Sequence, residues 1–100
     1  MGIINLTVES FDEAVSGPHS LVLFSSERCR PCRTVAPIIE ELAEQFEGRM
    51  NFAKVNTEIE RDLLKRFNIM TVPLVIIFEN GKEINRLSGV QSKEDYLAII

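Results

Sequence analysis

Cys29 and Cys32 are the chain's two cysteines, and two residues separate them in "SERCRPCRTVAP", Ser26 to Pro37. A pair at this spacing can cycle between dithiol and disulfide, supply half of a metal site, or lie buried as two inert thiols. Its neighbours bear on the choice. Arg28, Arg30 and Arg33 flank the two cysteines, and guanidinium groups are not found unpaired in a dry core, which argues against inert thiols. A structural zinc site takes four ligands, while the chain offers two cysteines and one histidine, His19. A metal site would therefore need two chains to pool their pairs. His19 follows Gly17-Pro18, where it reads as an exposed loop residue at the far end of a strand from Cys29.

Such a pair has to be held at a junction of strand and helix. "SLVLFSS", Ser20 to Ser26, is nearly all apolar, which suits a strand covered on both faces. From Arg30 to Glu47, Val35, Ile38, Ile39, Leu42, Ala43 and Phe46 recur at helical spacing, and Glu40, Glu41, Glu44 and Glu47 fall mostly opposite. This pattern predicts an amphipathic helix closed by Gly48. Pro37 lies within it and predicts a kink, because its ring crowds the preceding turn and removes one donor. Cys29 then stands where the helix begins. The first turn has unpaired N–H groups and the positive end of the helix dipole, and a thiolate there is stabilised. Pro31 suits a first turn, where its missing N–H is no loss. Cys32, three residues on, returns to the same side. An exposed, acidic thiol beside a more buried partner is the geometry of a redox couple in which one sulfur attacks and the other resolves.

The rest of the chain alternates in the same way. "IINLT" (Ile3 to Thr7) reads as a strand and "ESFDEAVSG" as a short helix stopped by Gly17-Pro18. "MNFAKVNT" reads as a strand, "EIERDLLKRFN" as a helix, and "VPLVIIFEN" as a strand with Pro73 at its mouth. Asn80-Gly81 signals a hairpin into "KEINRLSG", and Ser92 is the expected N-cap of a last helix, "SKEDYLAII". The order β-α-β-α-β-α-β-β-α predicts an α/β fold. Its five-stranded mixed sheet has helices on both faces, the first three strands parallel and the last two antiparallel.

The 100 residues are expected to form one domain, residues 1–100. The composition, 45% hydrophobic and 26% charged, is that of a globular chain. The net charge of −4 and pI near 5.0 speak against a nucleic-acid partner. "RDLLKRF" reads as a solvated helix face, with Leu63, Leu64 and Phe67 turned inward. No apolar run approaches the ~20 residues that cross a bilayer. "MGIINLTVESFDEAV" lacks a basic n-region and a long apolar h-region, and Gly2 is not followed by Ser or Thr at position 6. A cytoplasmic chain without a membrane partner is expected, and nothing demands more than a monomer. In a reducing compartment a close cysteine pair is catalytic or metal-binding rather than structural.

On these residues the sequence resembles the thioredoxin family over nearly its whole length. The matching stretches are "LVLFSSERCRPCRTVAPIIEELAEQF", "NFAKVNTE", "MTVPLVIIFENGKE" and "LSGV", in the family's order and spacing. The resemblance implies a thioredoxin fold and a thiol-disulfide oxidoreductase acting on protein disulfides, without a bound cofactor and recharged by a flavin-dependent thioredoxin reductase. It implies Cys29 as nucleophile, Cys32 as resolving thiol and Pro73 as a cis proline facing them. Val72 would pair through its backbone with an extended substrate, and Gly89 and Val90 would complete an apolar rim.

The sequence also departs from the family pattern. Ser25 and Arg28 stand where the family has tryptophans. Leu23 replaces the buried aspartate held to take the resolving cysteine's proton, and its lysine neighbour is kept as Lys54. Arg30 replaces a glycine between the cysteines. Positive charge from Arg28 and Arg30 favours the Cys29 thiolate. It is therefore expected to raise the potential above about −270 mV, the reference value for thioredoxin itself, towards the about −120 mV of the oxidant DsbA. The other reading of these departures is a redox-inactive, thioredoxin-like module that binds a partner without turnover.

Overall fold

The computed structural model describes residues 3–100, so Gly2, weighed above for acylation, lies outside the described residues. The elements run β1 (Ile4–Leu6), α1 (Phe11–Ala14), β2 (Ser20–Ser25), α2 (Arg30–Gln45), β3 (Asn51–Asn56), α3 (Arg61–Arg66), β4 (Leu74–Glu79), β5 (Lys82–Ser88) and α4 (Lys93–Ile99). This is the order read from the sequence, with several ends drawn in. The short helices lose most: α1 and α3 keep only the turns that bury Phe11 and Leu63.

The strands form one sheet in the order β1-β3-β2-β4-β5. β3 runs parallel to both β1 and β2, whereas β4 is antiparallel to β2 and to β5. The hairpin between β4 and β5 turns on Asn80 and Gly81, both with positive φ (52° and 84°). That is the primed turn whose twist matches the flanking strands and which Asn-Gly favours.

Alternation along the central strands explains why they are apolar throughout. Val22 and Phe24 of β2, and Leu74, Ile76 and Phe78 of β4, face one core with Phe11, Val15 and Leu63. Leu21, Leu23, Val75 and Ile77 face the other, with Val35, Ile39 and Leu42 of α2 and Tyr96 of α4. In the first core Phe11, Phe67 and Phe78 meet with ring centroids 5.2 to 5.5 Å apart, and Arg66, stacked over two of these rings, pairs with Asp12 at 2.6 Å. α1 and α3, too short to be stable alone, are joined by this cluster.

α2 continues unbroken through Pro37. Ser92 caps α4 as expected: its hydroxyl accepts from the Asp95 N–H at 3.1 Å while the Asp95 carboxylate accepts from the Ser92 N–H, a full capping box. His19 does lie at the far end of β2 from the cysteines, but it is half-buried rather than exposed, because the loop packs against β3 through the Asn51 N–H to His19 carbonyl bond of 3.1 Å.

The packing of α2 on the sheet fixes where the cysteines stand. Truncating its buried Leu42 to alanine is expected to lower the unfolding free energy by about 2–5 kcal/mol, read from chemical denaturation of the oxidised protein.

Candidate active site

Register brings four chain segments to one end of the sheet. Ser25 at the end of β2 pairs with Asn56 at the end of β3, Phe24 pairs with Leu74 at the start of β4, and Leu74 pairs with Ser88 at the end of β5. The loops beyond these residues carry Cys29, Glu58, Val72-Pro73 and Gly89-Val90. The sequence proposed three of these four segments separately, and the sheet makes them neighbours.

Cys29 and Cys32 form a disulfide with Cα atoms 5.3 Å apart. Cys29 is the N-cap of α2. Its Sγ accepts the Cys32 backbone N–H at 3.1 Å, so it satisfies one of the unpaired donors of the first turn. The same sulfur lies 3.7 Å from the Val72 carbonyl oxygen. Cys29 is partly exposed, whereas Cys32 is only 3% exposed. Pro31 sits in the first turn.

The Val72-Pro73 bond is cis, as the resemblance implied, and Pro73 is buried. The Pro73 carbonyl accepts the Gly89 N–H at 2.9 Å. Gly89 holds a positive φ of 80°, open to glycine at little cost, and its own carbonyl accepts the Tyr96 hydroxyl at 3.1 Å. Val90 beside it is 48% exposed. Tyr96, fully buried on α4, thus anchors the loop that carries Gly89 and Val90.

The charged groups lie on the outside. Arg28, Arg30 and Arg33 are all exposed. The Arg33 guanidinium donates to the Glu27 carbonyl at 3.2 Å. The Arg28 N–H donates to Ser26 Oγ at 3.2 Å and to Glu58 Oε2 at 3.3 Å, and the Ser26 hydroxyl donates to the same carboxylate. These contacts, the Ser26 bond first, hold the Glu58 carboxyl below its ordinary range. Lys54 is exposed and is the β3 register partner of Leu23. Leu23 is 1% exposed among α2 side chains, so no carboxylate stands behind Cys32 there. An open cleft of about 310 Å³ reaches Cys32 instead, and Glu27, Arg33, Lys54 and Asn56 are among its walls. Among the described residues no group of three or more His, Cys, Asp or Glu side chains is placed to hold a metal.

Four residues of this end were not singled out by the sequence reading. Glu58 ties the loop after β3 to the loop before α2, and Tyr96 anchors Gly89. Ile59 follows Glu58 and is 70% exposed, and Met70, two residues before Val72, is 86% exposed. An isolated apolar residue in a turn carries no periodic signal, and Tyr96 read only as one more apolar position of a helix.

Comparison with known proteins agrees with this geometry. The family model described as Thioredoxin matches residues 2–100. The chain belongs to the thioredoxin family. It is 31% identical over 100 residues to the thioredoxin of Staphylococcus saprophyticus, covering 100% of this chain and 96% of that one. It is 30% identical to the thioredoxin of Staphylococcus haemolyticus over the same shares. An asparagine-to-glutamine mutant thioredoxin from Halobacterium salinarum NRC-1 superimposes with a TM-score of 0.90 at 22% identity, covering 99% of this chain and 88% of that one; that likeness shows the fold. As a thioredoxin-family chain with its cysteine pair joined at the head of α2, the protein is a thiol-disulfide oxidoreductase. No helix among the described residues is long and apolar enough to cross a membrane.

Burial raises the Tyr96 phenol above its ordinary pKa. The neutral phenol's stabilising effect is therefore complete below the unfolded value of about 10 and is lost as pH rises through the higher folded value. Tyr96→Phe is expected to cost about 1 kcal/mol at neutral pH, because the Gly89 carbonyl loses its donor. Urea unfolding above about pH 10 should then show a smaller alkaline loss in the variant than in the parent.

Proposed function

We propose that Cys29 is the attacking thiol of this thioredoxin-family protein and Cys32 the resolving thiol. The observation that carries the assignment is the asymmetry of the pair: Cys29 Sγ is partly exposed and accepts the Cys32 N–H at 3.1 Å, while Cys32 is 3% exposed. In the dithiol form the helix N-terminus and that N–H stabilise the Cys29 thiolate. The thiolate attacks one sulfur of a protein disulfide, forms a mixed disulfide, and releases the other substrate sulfur as a thiolate that takes up a proton. Cys32 then gives up its proton and attacks Cys29 Sγ. The second substrate sulfur leaves, two electrons have passed to the substrate, and the Cys29–Cys32 disulfide is closed.

Val72 precedes the β4 ladder, which begins at Leu74, and its carbonyl faces Cys29. An extended substrate segment laid beside Val72-Pro73 would present its sulfur to Cys29, as in strand addition, with Gly89 and Val90 as the opposite rim. Arg28 and Arg30 add positive charge beside Cys29 and favour the dithiol, which makes the couple more oxidising than thioredoxin itself. Lys54 and the cleft beside it give solvent a route to Cys32, the group whose proton must leave. A thioredoxin reductase is the proposed source of electrons and the cytoplasm the proposed compartment. The chain is proposed to act as a monomeric single domain without a bound cofactor.

Two measurements test the assignment. Cys32→Ser is expected to accumulate a mixed disulfide with an oxidised protein substrate, visible by mass on a non-reducing sample, and Cys29→Ser is expected to form none. The reverse pattern would exchange the two roles. Titration in dithiothreitol buffers, with alkylation and mass counting, is expected to give one reversible two-electron transition tens of millivolts above about −270 mV. A midpoint at or below that value would remove the arginine argument.

A further inference from the structure

We infer that the site is built to select disulfides whose flanking residues are acidic. The inference rests on the exchange reading above and names the substrate class that the site prefers. Arg28, Arg30 and Arg33 place three positive charges in six residues that contain no acid, in a chain of net charge −4. All three are exposed, and among the described residues none of them forms an ion pair. Three of the chain's other cations are ion-paired, Arg66 to Asp12 at 2.6 Å, Arg86 to Glu83, and Lys93 to Glu41 at 3.0 Å; what sets Arg28, Arg30 and Arg33 apart is their grouping around Cys29.

Helix stability does not account for the cluster. Arg30 and Arg33 stand in the first turn of α2, where the dipole disfavours cations, and that turn holds no acidic residue. α1, α3 and α4 each carry acids in that position. The nearby carboxylates, Glu27 and Glu58, offset the arginines only in part, because Lys54 and Arg61 lie near them as well. Glu58 is engaged by the Ser26 hydroxyl and the Arg28 N–H, and the charges of Arg28 and Arg61 both act on it. Glu27 shares its cleft with both Arg33 and Lys54, and the Arg33 guanidinium donates to the Glu27 backbone carbonyl. What remains is positive charge on both sides of the sulfur that meets the substrate.

Arg28 and Arg30 are the immediate neighbours of Cys29. Two extended residues span about 7 Å, so a carboxylate within two positions of the attacked cysteine falls inside one Debye length, about 10 Å at 0.1 M salt. The arginines therefore act on the encounter and on the seating of the substrate, and both effects weaken with salt.

The test uses two synthetic peptides, each closed by one intramolecular disulfide. They are identical except for glutamates or lysines on either side of one cysteine. Reduced protein is mixed with each peptide in a single turnover, quenched with acid and alkylated, and its rate constant of oxidation is measured. Dividing each rate by that of dithiothreitol with the same peptide removes the peptide's own reactivity. Both peptides meet the same Cys29, so its thiolate fraction cancels in the ratio.

The glutamate peptide is expected to be favoured about tenfold at low salt, at the low end of electrostatic steering. The preference should collapse towards unity in concentrated sodium chloride and in the R28Q/R30Q/R33Q triple variant. A normalised ratio near one in the parent protein, a preference for lysine, or a preference that survives both salt and the triple variant would overturn the inference while leaving the exchange reading standing. Failure of the parent to react with either peptide would overturn the exchange reading itself.

Discussion

β2 is covered on both faces. Its apolar residues alternate between a core made with α1 and α3 and a core made with α2 and α4, and none of them reaches water. A strand so placed can carry no chemistry along its length, and its polar work is confined to where it ends. Parallel pairing with β3 and antiparallel pairing with β4 bring the end of one neighbour and the start of the other to that same edge. The position of the site follows from this burial. The loop that leaves β2 must turn directly into α2, and the residue at the turn is Cys29.

At that turn one sulfur meets two requirements. The first amides of α2 need acceptors, and Cys29 Sγ supplies one at 3.1 Å, the distance at which the Ser92 hydroxyl caps α4. If Cys29 is the nucleophile, as proposed, its thiolate needs a donor, and the Cys32 N–H would be that donor. On that assignment, helix capping and sulfur activation are one contact. It differs from an ordinary cap in that the acceptor is reactive, and the surrounding arginines sharpen the difference: they oppose the dipole of the helix they begin while favouring the charge on its cap.

The opposite wall of the site is held by a relay of backbone bonds. Tyr96 on α4 donates to Gly89, and Gly89 donates to Pro73, so a buried phenol of the second core holds the Gly89–Val90 loop beside Pro73. Leu23 packs against α2 and presents no carboxylate, and Cys32 opens instead to a cleft bordered by Lys54 and Glu27. Leu23 adds to the core, and in the proposed exchange the Cys32 proton would leave through the open cleft.

The sequence by itself determined the order of elements, the mixed sheet, the strand-to-helix junction at Cys29 and the Ser92 cap. Each of these is local: apolar period, turn chemistry and capping are written within a few residues of where they act. The family resemblance added the cis bond at Pro73 and the segments at Val72 and Gly89. Only the tertiary structure decided what crosses between segments. That Glu58 ties its loop to Ser26 and Arg28, that Tyr96 supports Gly89, that Ile59 and Met70 lie open at this end of the sheet, and that Arg28, Arg30 and Arg33 form no ion pair among the described residues all depend on which loops the sheet register brings together. A hydrogen bond between residues 32 positions apart, as from Ser26 to Glu58, leaves no periodic trace in the chain, because nothing but the closed sheet makes those residues neighbours.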